Sequence, residues 1–149
     1  PYEPFVAYGR SKTANILFAV AFDARHRARG VRATAVHPGG IYTELARHME
    51  QGQLEGMLAQ INEQAAKQGK PPFAFKTIPQ GAATSVWAGV VAAADEVGGR
   101  YCEDCHVAKV LPDGQEVGMA EDGVRTYALD AQRAQALWTK SEAMVGESF

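Results

Sequence analysis

Residues 4–40 read as a helix, a stop, a short strand and a rigid turn, and this order constrains the fold more than any other feature of the chain. Pro4 to Arg29 contains no further proline and one glycine, Gly9, while Gly30 stands where a helix C-terminus accepts a residue of positive φ. The pattern predicts one long helix over Pro4–Arg29. At 100° per residue, Ile16, Leu17, Val20, Ala21 and Ala24 form one apolar sector and Phe18 with Phe22 a second, so this helix is expected to pack on two sides. Val31 to His37 (VRATAVH) then reads as a short buried strand, closed by Pro38-Gly39-Gly40. Helix, tight turn and strand make half of a βαβ unit, which points to an α/β fold.

The rest of the chain continues the alternation. Thr43 to Gln68 is polar with Leu45, Met49, Leu54, Met57, Leu58 and Ile61 scattered through it, which predicts one or two amphipathic helices ended by Lys70-Pro71-Pro72 and suited to a lid. Pro79 to Ala94 is a small-residue helix. Gly98-Gly99 then leads into a strand over Arg100–Leu111 closed by Pro112-Asp113-Gly114, and Val124 to Met144 reads as a terminal helix. A length of 149 residues is one domain, 1–149, and 46% hydrophobic with 21% charged residues predicts a packed core rather than disorder. The net charge of −2 supplies no attraction to nucleic acid or an anionic membrane, and no apolar run reaches the roughly 18 residues of a membrane span. Neither partner is expected, and a cytoplasmic protein is. Arg25, Arg27 and Arg29 crowd the end of the first helix, where cations complement the dipole, and are read as a solvated helix end.

Chemistry enters with Tyr8 and Lys12, four residues apart on one face of that helix and followed along the same strip by Asn15 and Ala19. The strip falls between the two apolar sectors, so the pair is expected to be partly desolvated. An ammonium beside a phenol stabilises its anion, and a second positive charge such as an oxidised nicotinamide ring adds to the effect, which suits proton transfer coupled to hydride transfer. The second motif is His37-Pro38-Gly39-Gly40-Ile41-Tyr42-Thr43-Glu44-Leu45, at the C-terminal end of the strand, where open α/β sheets bind ligands.

YGRSKTAN followed by VRATAVHPGGIYTEL resembles the C-terminal half of short-chain dehydrogenase/reductases, most closely the branch of retinol dehydrogenases, protochlorophyllide reductases and WW-domain oxidoreductases. The resemblance implies the C-terminal portion of a Rossmann-like doubly wound parallel sheet whose first βαβ half is absent. It implies NAD or NADP as cofactor and a small-molecule carbonyl or alcohol as substrate. Tyr8 would be the acid/base at the substrate oxygen, and Lys12 would favour its anion and bind the cofactor ribose. Pro38 and Gly39 would form the cofactor turn, the backbone at Ile41 would lie near the nicotinamide carboxamide, and the Thr43 hydroxyl near the carboxamide or pyrophosphate. Ser11 would be a packing residue, Ala46 to Lys76 the substrate-binding region, and Gly99 to Val110 the last strand. The family's glycine-rich phosphate loop and catalytic serine lie upstream of the Tyr helix and are not in these residues. The chain begins at Pro1, so a piece of something longer, inactive alone, is expected.

Two other readings compete. Cys102-Glu103-Asp104-Cys105-His106 has the C-x-x-C-H spacing of c-type haem attachment, or three ligands of a zinc site, against two reduced structural cysteines. A non-catalytic assembly module could also keep this half of the fold. His37 is read as structural, Trp87 and Trp138 as core, and Glu44 and His48 have no identifiable partner. A strand at Val31–His37 lacking its upstream neighbour, with two apolar helix sectors, predicts a homo-oligomer that buries the strand edge or the Phe18/Phe22 face.

Overall fold

The computed structural model describes residues 2–44, 52–115 and 122–149. Leu45, His48 and Met49 therefore lie outside the described residues. Helix α1 (Pro4–His26) begins with proline in its first turn and runs on through a 3-10 turn, Arg27–Arg29, to Gly30, whose φ of +77° ends it. Strand β1 is Ala35–His37, shorter than Val31–His37. The difference arises because Arg32 and Ala33 are taken by helix α1: Arg32 Nε and Nη2 donate to the Asp23 carboxylate at 2.8 and 3.2 Å, and the Ala33 N–H donates to the same group at 3.0 Å.

Helix α2 (Gln53–Lys67) is the amphipathic element, with Ile61 and Ala65 buried. Helix α3 (Ile78–Val86) starts at a capping box in which Thr77 and Gln80 satisfy each other's backbone N–H groups, and its final residues continue as a π-helical stretch, Trp87–Val91. The expected helix over Pro79–Ala94 thus stops at Val91, and Ala94–Val97 forms the separate short helix α4.

The expected strand over Arg100–Leu111 is three short pieces: β2 (Tyr101–Glu103), β3 (His106–Val107) and β4 (Val110–Leu111). Asp104 and Cys105 cause the break, since both adopt positive φ, +45° and +58°, the two-residue loop whose twist suits a hairpin. The buried Thr84 of α3 supports it by accepting the Cys105 N–H at 3.3 Å. Strand β2 pairs with β1 in parallel, Ala35 opposite Tyr101 and His37 opposite Glu103, and with β3 antiparallel. Strand β4 pairs in parallel with β5 (Val124–Arg125), which occupies the start of the expected terminal helix. Asp130 caps α5 (Ala131–Val145) by accepting the Arg133 N–H at 2.7 Å, so that helix cannot begin earlier.

Helices cover both faces of the three-stranded sheet. Val36, Cys102 and Val107 face Trp87, Ala88 and Val97, while Tyr101 on the opposite face packs near Ile16 of α1 with Ala108, Val124 and Ala128. This is an α/β arrangement with one parallel pair, and the described residues do not extend it to the doubly wound sheet of the expectation. Among them, the far edge of β1 carries no strand. The Phe18/Phe22 face, expected to await a partner copy, is covered in part by α5: Trp138 stacks on Phe18 at 5.7 Å and meets Phe22 at 6.4 Å, while Phe18 stays half exposed. Among the described residues no helix is long and apolar enough to cross a membrane.

Asp23 ties this connection together. Burial raises the cost of its charge, but the Arg32 guanidinium and the Ala33 N–H outweigh that and hold its carboxyl below the ordinary range. A lowered folded-state pKa means that the stabilisation is present above the unfolded value and lost as pH falls through the folded one. Asp23→Ala is expected to cost about 2–3 kcal/mol at neutral pH by leaving Arg32 and the Ala33 N–H without their acceptor. Denaturant titration at pH 7 and at pH 2.5 checks this. The loss should shrink at the acid end, and an equal loss at both would show that the charge is irrelevant.

Candidate active site

Helix α1 places Tyr8 and Lys12 one turn apart, with the Lys12 ammonium 5.1 Å from the centre of the Tyr8 ring. Among the described residues the Tyr8 hydroxyl and the Lys12 ammonium have no hydrogen-bond or ion-pair partner. The pair is not desolvated as expected: Tyr8 is 56% exposed. The fully buried positions of α1 begin only at Leu17, about one and a half turns beyond Lys12. Ser11 is also exposed, and its hydroxyl donates back to the Tyr8 carbonyl at 2.7 Å rather than packing into a neighbour.

The Pro38–Thr43 turn leaves the carboxyl end of β1 and is held by the segment that enters α3. The Lys76 N–H donates to the Gly40 carbonyl at 2.9 Å, and Ile41 bridges Lys76 in parallel. Both glycines are needed for this close approach. Gly39 has φ +84°, and a Cβ there would stand 2.7 Å from Lys76 Cε; one on Gly40 would stand 2.6 Å from the Phe73 ring. The Ile41 side chain in turn fills the space above Gly81 of α3. Thr43 and Glu44 are exposed. Gly39→Ala is expected to cost about 1–2 kcal/mol, chiefly through left-handed backbone strain, because the Lys76 tip can move aside. A thermal melt of that variant indistinguishable from the parent would contradict the turn geometry.

Beside the turn lies a cleft of about 310 Å³ whose lining includes His37, Gly39, Gly40, Phe73, Lys76, Tyr101, Glu103 and Asp122. Tyr8 and Lys12 are not part of this lining. The structure thus brings Tyr8 to Lys12, and the turn to Lys76 and Phe73, as two separate groups. Sequence reasoning missed the cleft. Its signal was alternation within Tyr101-Cys102-Glu103, which puts Tyr101 and Glu103 on one face and Cys102 on the other.

The C-x-x-C-H segment is the β2–β3 hairpin. Cys102 is wholly buried with its thiol 3.4 Å from Thr34 Oγ1 and its pKa pushed up by burial, whereas Cys105 is exposed in the turn. A fully buried thiol on the α3 side of the sheet cannot share a haem or metal with an exposed one in the turn. Among the described residues no cluster of His, Cys, Asp or Glu is arranged to hold a metal ion.

Comparison with known proteins finds relatives that are named as oxidoreductases. It is 39% identical over 138 residues to a probable oxidoreductase of Streptomyces lividans, covering 93% of this chain and 44% of that protein. It is 33% identical to the short-chain dehydrogenase/reductase prx1 of Penicillium roqueforti (99% of this chain, 40% of that one), and 32% identical to mouse retinol dehydrogenase 14 (97% and 37%). The chain belongs to the short-chain dehydrogenase/reductase family. It spans about two fifths of the length of these relatives. No family model matches it, and no solved structure gives a significant match.

Proposed function

We propose that this chain carries the acid/base part of an NAD(P)-dependent oxidoreductase that interconverts a carbonyl and an alcohol. One observation supports it above the others: among the described residues the Tyr8 hydroxyl and the Lys12 ammonium, one helical turn apart, have no other polar partner, on the helix that feeds β1 and its glycine turn. Two unspent polar groups at one place suit the ribose end of a nicotinamide cofactor, and a turn whose Gly39 has a φ of +84° and whose Gly40 lies against the Phe73 ring presents bare backbone. The cofactor, when bound, supplies or accepts the hydride.

In the reducing direction Tyr8 gives its hydroxyl proton to the substrate oxygen, and the phenolate left behind is stabilised by Lys12 and reprotonated from solvent. Lys12 also hydrogen-bonds the ribose hydroxyls. The Pro38-Gly39 turn shapes the approach, and the Ile41 backbone with the Thr43 hydroxyl holds the carboxamide. The pyrophosphate is held by residues outside these 149, so the chain alone is inactive. The unpaired edge of β1 is covered in the working protein, which is a cytoplasmic homo-oligomer. The substrate is a small carbonyl or alcohol, and the likeness to retinol dehydrogenase 14 puts an apolar alcohol among the first to try.

The test is cofactor binding by the complete protein encoded by the reading frame that contains this chain. Titration of NADH or NADPH fluorescence is expected to saturate, and Lys12→Ala to weaken the binding about tenfold or more, the loss of a charge-assisted pair of hydrogen bonds. Unchanged affinity in Lys12→Ala would remove the ribose role.

A further inference from the structure

The cleft beside the turn contains a feature that the acid/base reading leaves unused. Glu103 is 4% exposed and lines the cleft; its carboxylate accepts from the Gly123 N–H, but its Oε1 is buried without a hydrogen-bond partner among the described residues. An acceptor left bare in a buried wall is costly unless something else supplies the donor. The surrounding charge says what kind of donor. Glu103, Asp104 and Asp122 bring three carboxylates to the lining, and its lysine, Lys76, is already paired with Asp104. The parallel register sets His37 beside Glu103 on one side and the hairpin sets His106 on the other. Burial and the nearby Lys76 ammonium hold His37 below the ordinary histidine range, so it adds no positive charge near neutral pH. Phe73 and Tyr101 supply aromatic surface in the same wall. Such rings favour a cation over a neutral donor.

We propose that this cleft is a binding site for a small primary ammonium ion carrying an apolar group, with Glu103 as its anionic acceptor and Phe73 and Tyr101 against the apolar part. A volume of about 310 Å³ lies at the small end of ligand sites.

The titration behaviour agrees. Burial and then the Asp122 charge push the Glu103 carboxyl up, with His106 and the Gly123 N–H opposing. A raised folded-state pKa means that the group's contribution to stability is present below the unfolded value and lost as pH rises. A bound ammonium offsets both causes, so affinity rises with pH as Glu103 ionises. The other groups facing it do not reverse this trend: Asp104 is held low by Lys76, and Tyr101 is pushed up to about 12 by burial and Glu103.

The site goes beyond the oxidoreductase reading and does not depend on it. Its test therefore uses neither cofactor nor turnover. Binding of n-butylammonium and of 1-butanol to the complete protein is followed by amide chemical shifts. The ammonium is expected to bind at least tenfold more tightly than the alcohol at pH 8, to shift the Glu103 and Gly123 amides, and to weaken as pH falls. Glu103→Gln is expected to weaken the ammonium at least tenfold and leave the alcohol unchanged, and also to raise the melting temperature at pH 8 but not at pH 4. Asp122→Asn, at an exposed position, is the second variant, with an expected loss of about threefold. Equal affinity for ammonium and alcohol, or undiminished ammonium binding in Glu103→Gln, overturns the proposal. If Glu103→Gln does not fold, undiminished binding in Asp122→Asn overturns it instead.

Discussion

Tyr8→Phe in the complete protein is expected to lower turnover at least about 10²-fold while leaving cofactor affinity nearly unchanged, which is the usual size of a single acid/base contribution. The substitution removes one oxygen and leaves the ring and its place under the Lys12 ammonium, 5.1 Å away. Because Tyr8 is 56% exposed and its hydroxyl holds no other group in place among the described residues, the change should not disturb folding. A fall in kcat without a change in the melting curve is therefore the signature of the proton-transfer role. Near-normal turnover in Tyr8→Phe would refute that role, whatever the cofactor binding showed.

Trp138→Ala carries the second large effect, on stability. The indole is 8% exposed, lies nearly parallel to Phe18 at 5.7 Å, meets Phe22 at 6.4 Å, and carries the Arg25 guanidinium 4.3 Å over its ring. It belongs to the cluster with Leu17, Ala21 and Ala134 that fastens α5 to α1. Truncating a buried indole costs about 3–5 kcal/mol through lost burial and the cavity left behind. Urea unfolding of the complete protein measures it. A loss below about 1 kcal/mol would mean that α5 is not docked on α1 through this ring.

The first helix, its stop and the strand after it were legible because each is marked by backbone chemistry: proline at the start, glycine at the end, then β-branched residues closed by Pro38-Gly39-Gly40. The hairpin at Asp104-Cys105 was not. Aspartate tolerates a left-handed turn, but cysteine gives no such signal, and what holds Cys105 there is the distant Thr84. The start of β1 was misplaced for a similar reason, since Asp23 and Arg32 meet only once the helix has folded back over the strand. Trp138 was read as core, as found. The partner of Phe18 and Phe22, however, was sought in a second copy because a terminal helix carries no mark of the surface it will cover. Motif spacing singled out Tyr8, Lys12 and the glycine turn, which the structure sets in two separate groups. Glu103 stayed hidden inside a cysteine motif that drew attention to its neighbours, although it is the Glu103 carboxylate, not the two thiols, that lines the cleft.

Deuteride transfer tests the central claim most directly. The complete protein is supplied with a reduced nicotinamide cofactor labelled at C4 and a panel of aldehydes and ketones, polar and apolar. The account predicts one deuterium at the carbonyl carbon of at least one product, formed at least about 10²-fold more slowly by Tyr8→Phe. Label that appears at the parent rate in Tyr8→Phe, or a complete protein that binds the cofactor and transfers no label to any carbonyl, would contradict it.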